Sequence, residues 1–516
     1  MTARDGSDVT ADQVVEAVFS RYRASLARSH RLQSSSSSSA TGQVIEWTIL
    51  AAVCLVSPSG VIKATPIALG TGTKTLPFSK LRHPALGDVL HDCHAEVMAR
   101  RAARTWLAKR IAAESTARKL SLTEIDGLPL LLQRDEQTGR VGLRKDVECW
   151  WYVSTLPCGE CSSPSLMRRR QEQDKLAVAA TAECQDTAAV VSPDASAGSS
   201  LSVVRGRHNL LADNTAPPEL RTVPGRWDSL PSISHSCTDK LLFWSQVGWQ
   251  GAALSHWIDP IGIDALVVSS PVRDHQDLIA AEVQRGLDVR LRMSACQAES
   301  VDVKPPPVVI ISDRLFDHSQ EVLAPLYPPT TDLIPSWTSS SWIMPSATDG
   351  RAKDIEIVVG GIKQGGSLRR SPSDGPLREK ARSRLCKLDY LMLLERCGLV
   401  DTNLERQTYA AVKGKELEAL EGAGVVAYRE RKCRMRGSDG EGAAAWDRVE
   451  AWLRAHQQQE EASDGEKAGD AQHSTDAAPL AGWLITPTDV ERFTAASQKA
   501  NGKAASQKAN GNKKVG

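Results

Sequence analysis

The run Asp92-Cys93-His94-Ala95-Glu96-Val97-Met98-Ala99-Arg100-Arg101 sets an imidazole two residues before a carboxylate and leads straight into a helical pattern, and further along the chain lies Pro157-Cys158-Gly159-Glu160-Cys161. Imidazole and thiolates are zinc ligands, and a catalytic zinc needs about three of them with one position open. His94 sits where a helix opens, whereas Cys158 follows the β-type run Trp150 to Leu156 and its closing Pro157. A fold that uses both must bring a helix start and a strand end to one point. Alone, His-Ala-Glu also fits an ordinary helix start whose acidic residue is favoured by the dipole. The downstream cysteines shift the reading toward a metal site.

Charge sets a second limit. Lys plus Arg total 63 against 62 Asp plus Glu, a net charge of +1, so any nucleic-acid surface has to come from local segregation of charge. The 11 cysteines are scattered, and Asp5, Asp8 and Asp12 stand where a secretory leader would be basic and then apolar. A reducing compartment, cytoplasm or nucleus, is expected. The longest apolar run, Trp47 to Val56, is shorter than the roughly 20 residues of a membrane helix and reads as a buried strand.

Val9 to Ala27 carries an apolar stripe of Val14, Val15, Val18, Phe19 and Tyr22 at helical spacing, followed by the serine run Ser34 to Ser39. Thr48 to Val56, Val61 to Leu69, Ala265 to Ser269 and Val308 to Ser312 read as strands, Thr71-Gly72-Thr73-Lys74 as a turn, and Cys93 to Ile111 as a helix. A second helix opens in Ser234-His235-Ser236-Cys237-Thr238-Asp239-Lys240. Strands interleaved with helices predict an α/β layered domain, a central mixed sheet flanked by helices. Polar, Gly- and Ser-rich composition marks insertions near 162–222 (with the basic patch Arg205-Gly206-Arg207-His208), 364–380 and 437–478, so three regions are expected: 1–45 as helix and Ser-rich linker, 46–494 as the elaborated domain, and 495–516 as a disordered basic tail.

Spacing alone leaves the third ligand open between Cys161, which completes Cys-x-x-Cys, and Cys237 in its own polar segment. His-x-Glu with Pro-Cys-x-x-Cys is the pattern of zinc nucleobase deaminases, in which the glutamate moves protons without binding metal. The combination of Asp-Cys-His-Ala-Glu-Val with Arg100-Arg101, Pro-Cys-Gly-Glu, and Ser-Cys-Thr-Asp-Lys followed by Trp244 and Gln250-Gly251-Ala252 resembles the adenosine-to-inosine RNA deaminases, above all their tRNA-specific branch. The resemblance covers about residues 46–494. It implies a cytidine-deaminase-like fold, zinc held by His94, Cys158 and Cys237, and Glu96 as proton shuttle. Cys161 is a departure, since the family commonly has a small residue there.

The same resemblance implies an inositol hexakisphosphate buried in the domain, held at Arg100, Arg101, Lys240, Lys363, Tyr409, Lys413, Tyr428, Lys432 and Trp483. Both Tyr/Lys pairs have a four-residue spacing that places each pair on one helix face, although such pairs are also common on helix surfaces. Here too the chain departs from the family: His91 replaces an asparagine, Phe243 an arginine and Ala252 a serine of some members, and Leu-Ile-Thr follows Trp483. A reduced or rearranged polyphosphate shell is one consequence. Thr73 and Lys74 resemble substrate-side residues that meet ribose and phosphate.

The expected activity is hydrolytic deamination of adenosine to inosine in tRNA, by resemblance at position 37 beside the anticodon of alanine tRNA. No obligate protein partner and no membrane are expected. The short segment before residue 46 leaves no room for a double-stranded-RNA-binding module, which argues against long duplex substrates. Rival readings are duplex messenger-RNA editing with a partner, a catalytically silent RNA-binding scaffold, and a free-nucleoside or cytidine deaminase. Glu96 argues against the scaffold, because a structural zinc needs no such carboxylate.

Overall fold

The strand that reads as fully apolar is buried from end to end, because it lies in the middle of a sheet covered on both faces. The computed structural model describes residues 9–27, 44–57, 60, 62–80, 86–137, 139–162, 203–205, 220–224, 229–273, 276–297, 304–346, 354–368, 375–400, 408–413, 423–436, 449, 484, 491, 493 and 494. In chain order the elements used below are α1 (Ala11–Ala24), β1 (Leu50–Val56), β2 (Thr65–Thr71), β3 (Thr73–Thr75), β4 (Asp92–His94), α2 (Ala95–Lys119), β5 (Glu148–Val153), α3 (Cys237–Val247), β6 (Ala265–Ser269), α4 (Gln276–Gln297), β7 (Val308–Ser312), β8 (Thr338–Ile343), β9 (Ile355–Val359), β10 (Ile362–Lys363), α5 (Lys387–Arg396) and α6 (Ala423–Arg436).

Eight strands form one mixed sheet in the order β7-β6-β5-β1-β2-β8-β9-β10. Strands β5, β6 and β7 run parallel, joined through α3 and α4 as parallel strands require, and the rest pair antiparallel. Alternation along β1 sorts its side chains. Leu50, Ala52, Cys54 and Val56 pack with Val14, Val15, Val18, Phe19 and Tyr22 of α1, while Ala51, Val53 and Leu55 pack with Met98, Ala102 and Trp106 of α2. Each large aliphatic side chain buried this way contributes ~1.5–3 kcal/mol. The domain is thus an α/β layered structure with a central mixed sheet flanked by helices, as the alternation of strands and helices predicts.

Helix α1 begins where Thr10 and Gln13 form a reciprocal capping box. The predicted helix after the first motif extends past Ile111 to Lys119, because a buried pair continues its apolar face. Arg110 Nε meets Glu114 Oε1 at 2.7 Å, and Glu114 also accepts from the backbone N–H groups of Leu131 (2.7 Å) and Leu132 (3.0 Å). Two expectations shift. The second strand is Thr65–Thr71 instead of Val61 to Leu69, and Thr73–Thr75 is a strand paired with Asp92–His94 instead of part of a turn. The Ser34 to Ser39 run, the tail 495–516, most of the 162–222 and 437–478 segments, and all of Arg205-Gly206-Arg207-His208 but Arg205 lie outside the described residues. Among the described residues no helix is long and apolar enough to cross a membrane.

Candidate active site

His94 is the N-cap of α2, in extended conformation, and makes no side-chain capping bond, which leaves its ring available. The first N–H of the helix is satisfied from elsewhere: Ala95 N donates to the Gly72 carbonyl at 3.0 Å. Gly72 has φ +140°, and a Cβ there would fall 2.2 Å from the Cys93 carbonyl and 2.2 Å from Ser339 Oγ, so only glycine fits between β4 and β8.

Cys158 follows β5, and Cys237 is the first residue of α3, whose start is capped by the Ser236 hydroxyl accepting from Asp239 N. These two elements bring the cysteines to His94. One ligand atom from each of His94, Cys158 and Cys237 lies within 4.8 Å of the others. His94 Nδ1 is 3.4 Å from Cys237 Sγ, Cys237 N donates to Cys158 Sγ at 3.3 Å, and His94 Nε2 faces Thr75 Oγ1 at 3.4 Å. Tetrahedral zinc with bonds of about 2.0–2.3 Å sets its ligand atoms roughly 3.5–3.8 Å apart. The donor set, with one close pair at 3.4 Å, is compatible with zinc.

The electrostatics favour a cation at the same point. Burial opposes charge on His94, but Asp92 and the Cys158 thiolate outweigh it and raise the imidazole to about 9. A hydrogen bond from Cys237, together with His94, holds the Cys158 thiol well below its usual range. Asp92 is buried, which pushes its carboxyl up, yet Lys240 and His94 keep it well below the usual carboxylate range. Its Oδ1 accepts from His94 N at 3.0 Å and its Oδ2 from Lys240 Nζ at 2.5 Å and from the Ser234 hydroxyl. Glu96, 3 % exposed in the first turn of α2, is pushed up by burial and then by the Cys158 thiolate.

Cys161 turns away from this cluster. Its Sγ donates to the Val283 carbonyl at 3.5 Å on α4, and burial pushes its thiol up to about 12. Of the two thiols that sequence spacing left open, it is Cys237 that groups in space with His94 and Cys158.

Behind the site a cavity of ≈ 320 Å³ is lined by Arg100, Arg101, Arg104, Lys240, Lys387, Lys413, Arg429, Lys432 and Arg436, with Tyr409 and Tyr428, against the acids Asp92 and Glu491. Arg100 and Arg104 face it from one side of α2. Burial and the neighbouring Arg104 push Arg100 down to about 9, and its Nε has no hydrogen-bond partner among the described residues. So much positive charge out of water calls for an anion. Seven predicted polyphosphate residues, Arg100, Arg101, Lys240, Tyr409, Lys413, Tyr428 and Lys432, line this cavity, and the two Tyr/Lys pairs do sit on helical turns.

Lys363 does not line it. On the edge strand β10 its half-exposed side chain reaches Glu356 Oε2 at 4.0 Å instead, because the hairpin directs it toward β9. Trp483 lies outside the described residues. Arg104, Lys387, Arg429 and Arg436 were missed. Arg104 is one helical turn beyond Arg100 and was findable by spacing, whereas the others reach the cavity only through tertiary packing. The guanidinium of Arg436 lies 4.0 Å over the Phe243 ring, so α6 supplies a cation beside the position where the chain carries Phe.

Thr73 and Lys74 lie on β3, with Thr73 in register with His94. Thr73 Oγ1 donates to the Ser336 carbonyl at 3.4 Å, and Lys74 Nζ sits 4.2 Å from the centre of the Trp337 ring.

A layered α/β domain with imidazole, two thiols and a buried carboxylate at the junction of two helix starts belongs to the class of zinc-type nucleobase deaminases. The match to the adenosine-deaminase (editase) domain over residues 68–416 makes the assignment specific, and the chain belongs to that family. It is 34 % identical over 198 residues to tRNA-specific adenosine deaminase 1 of Saccharomyces cerevisiae, covering 38 % of this chain and 44 % of that protein. The mouse protein of the same name is 21 % identical over 467 residues, covering 74 % of this chain and 86 % of its own. Double-stranded RNA-specific editase B2 of mouse is 28 % identical over 231 residues, 43 % of this chain and 27 % of that protein. The chain thus spans under half of the yeast relative and most of the mouse tRNA deaminase.

Proposed function

We propose that this protein hydrolytically deaminates adenosine to inosine in tRNA, at adenosine 37 beside the anticodon of alanine tRNA. The observation that carries the reading is the cluster of His94, Cys158 and Cys237 with Glu96 one helical step away. The three donors are assigned to zinc, which when bound acts as a Lewis acid and acidifies a water at its open position. His94, whose Nδ1 faces Cys237, would hold the metal from that nitrogen, with Thr75 orienting the ring from the other.

Glu96 takes a proton from the water as its oxygen bonds to C6 of the flipped-out adenine and delivers that proton to N1. It then takes the remaining proton from the C6 hydroxyl and passes it to the amino group, so that the carbonyl forms, the C6–N bond breaks and ammonia leaves. A carboxyl raised above its usual range by burial suits a group that must both accept and donate. Thr73 and Lys74 meet ribose and phosphate of the target nucleotide.

The cationic cavity is assigned to inositol hexakisphosphate, with Arg100, Arg101, Arg104, Lys240, Tyr409, Lys413, Tyr428 and Lys432 as its contacts. The cations lining the cavity outnumber its two acids, Asp92 and Glu491, which suits a polyanion held by charge-assisted hydrogen bonds. The link Lys240–Asp92–His94 N ties that cavity to the metal donors.

The deciding experiment is inosine formation in purified total tRNA by wild type and Glu96→Ala, with zinc measured on both. Inosine beside the anticodon with wild type and none with the zinc-loaded variant supports the reading. Zinc without activity on tRNA overturns the substrate assignment, and duplex RNA, favoured by the likeness to the mouse editase, is then tested next.

A further inference from the structure

One large apolar side chain beside the site has no assigned task. Trp337 is 64 % exposed, on the loop that enters β8. That loop is pinned on both sides of the tryptophan. Ser336 N donates to the Trp47 carbonyl at 2.8 Å, the Ser336 hydroxyl accepts from Thr338 N at 3.1 Å, and Ser339 Oγ donates to the Cys93 carbonyl at 3.1 Å. The indole is held in water by a rigid frame.

Its position relative to the site follows from register. Thr73 is paired with His94 and donates to the carbonyl of Ser336, the residue just before the tryptophan. Along β3, Thr73 and Thr75 alternate to the side of His94, while Lys74 alternates to the other side and lies over the indole. The Lys74–Trp337 pair therefore stands at the rim of the His94 cluster, one residue along β3 from Thr73 and Thr75 and on the strand face turned away from His94. Lys74 covers one ring face, and the exposure leaves the other open.

We propose that Trp337 is a stacking platform for the nucleobase that flanks the target adenosine, with Lys74 at the phosphate between the two nucleotides. The proposal rests on the RNA-deaminase reading and deepens it. Extracting one base from a stack strips its neighbour of a stacking partner, and an aromatic ring at the rim replaces that partner. Such stacking accepts any base, since every base has a π-face, and a cation beside the ring adds attraction for the backbone. It thereby sets how tightly the RNA is held open without touching the reacting atoms.

The test uses the full chain as wild type, Trp337→Ala and Trp337→Phe, with Leu326→Ala, 67 % exposed, as a matched surface control. Inosine formation is followed on total tRNA. Binding is followed in a Glu96→Ala background with an anticodon stem-loop carrying 2-aminopurine next to the target adenosine. Trp337→Ala is expected to lower kcat/KM about 5- to 150-fold, chiefly through KM, which at ~1.4 kcal/mol per decade is ~1–3 kcal/mol. Phe restores most of it, and the quenching of 2-aminopurine on binding is lost with Ala only. An unchanged KM with quenching intact in Trp337→Ala overturns the proposal, as does a lowered unfolding temperature that Phe does not restore. If wild type makes no inosine while quenching and RNA affinity still depend on Trp337, the deaminase reading falls and the platform stands. If neither depends on it, the platform falls whatever the catalysis.

Discussion

Replacing Gly72 by alanine tests whether His94 is positioned against Cys158 and Cys237 by a backbone contact that no side chain makes. A Cβ at Gly72 would lie 2.2 Å from the Cys93 carbonyl oxygen and 2.2 Å from Ser339 Oγ, and 2.8 Å from Ser339 Cβ. Ordinary contacts need about 3.4 Å, so β4 and β8 must part by roughly 1 Å, and β4 ends in His94. The backbone at φ +140° adds ~1–3 kcal/mol of strain for a residue with a Cβ. A misplacement of about 1 Å at a catalytic group can cost ~100-fold in rate. Gly72→Ala should therefore lower single-turnover inosine formation by about two decades and weaken zinc retention on dialysis, with ~1–3 kcal/mol lost in urea unfolding. Gly127→Ala is the control: its φ is +73° but nothing lies within 4 Å of the added Cβ, so it should lose stability and keep its rate. Equal rates for Gly72→Ala and Gly127→Ala would refute the positioning argument.

Other outcomes follow from the same geometry. Arg104→Met should reduce the phosphate recovered from acid-denatured protein and the rise in unfolding temperature on adding inositol hexakisphosphate, since Arg104 is one of the buried cations lining the cavity; a full complement of ligand in the variant would contradict the assignment. Burial, then Lys387 and Arg101, push His91 down to about 3, so the unfolded chain binds the extra proton between that value and 6.5. Without added polyphosphate, stability should be level above pH 6.5 and fall as pH drops below it, by ~2 kcal/mol at pH 5, and His91→Asn should flatten that slope in urea titrations. Glu114→Ala leaves the buried Arg110 guanidinium without its carboxylate and strips two backbone N–H groups, at ~3–5 kcal/mol. Combining it with Arg110→Met should recover part of that loss in a double-mutant cycle; strict additivity would show the pair to be uncoupled.

Much of the site was legible because its chemistry is written locally. His94 and Glu96 share one helix start, Cys158 ends one strand, and Cys237 opens another polar helix start, each recognisable from a few adjacent residues. The elements that were misjudged are those whose state depends on a distant partner. Thr73–Thr75 reads as a turn because Gly72 precedes it, and it becomes a strand only through pairing with Asp92–His94. The serine-rich run of β8 shows no apolar alternation, yet Ser339, Ser340 and Ser341 are buried, and Ser340 is satisfied by Thr71 across the sheet. Polar residues in a core are invisible to hydrophobic patterning when their hydrogen bonds are tertiary.

The sequence by itself marked out the imidazole, thiols and carboxylate of the candidate site and the alternation of strands and helices, since these depend on residue chemistry and short-range periodicity. Only the tertiary structure places Cys237 and not Cys161 beside His94: both are thiols at plausible spacing, but packing against α4 turns one toward Val283 while the start of α3 presents the other to His94. It also assembled the cationic cavity from α2, α3, α5 and α6, and removed Lys363 from it. Charges far apart in the chain act together only where the fold excludes water between them, and no local pattern records that distance.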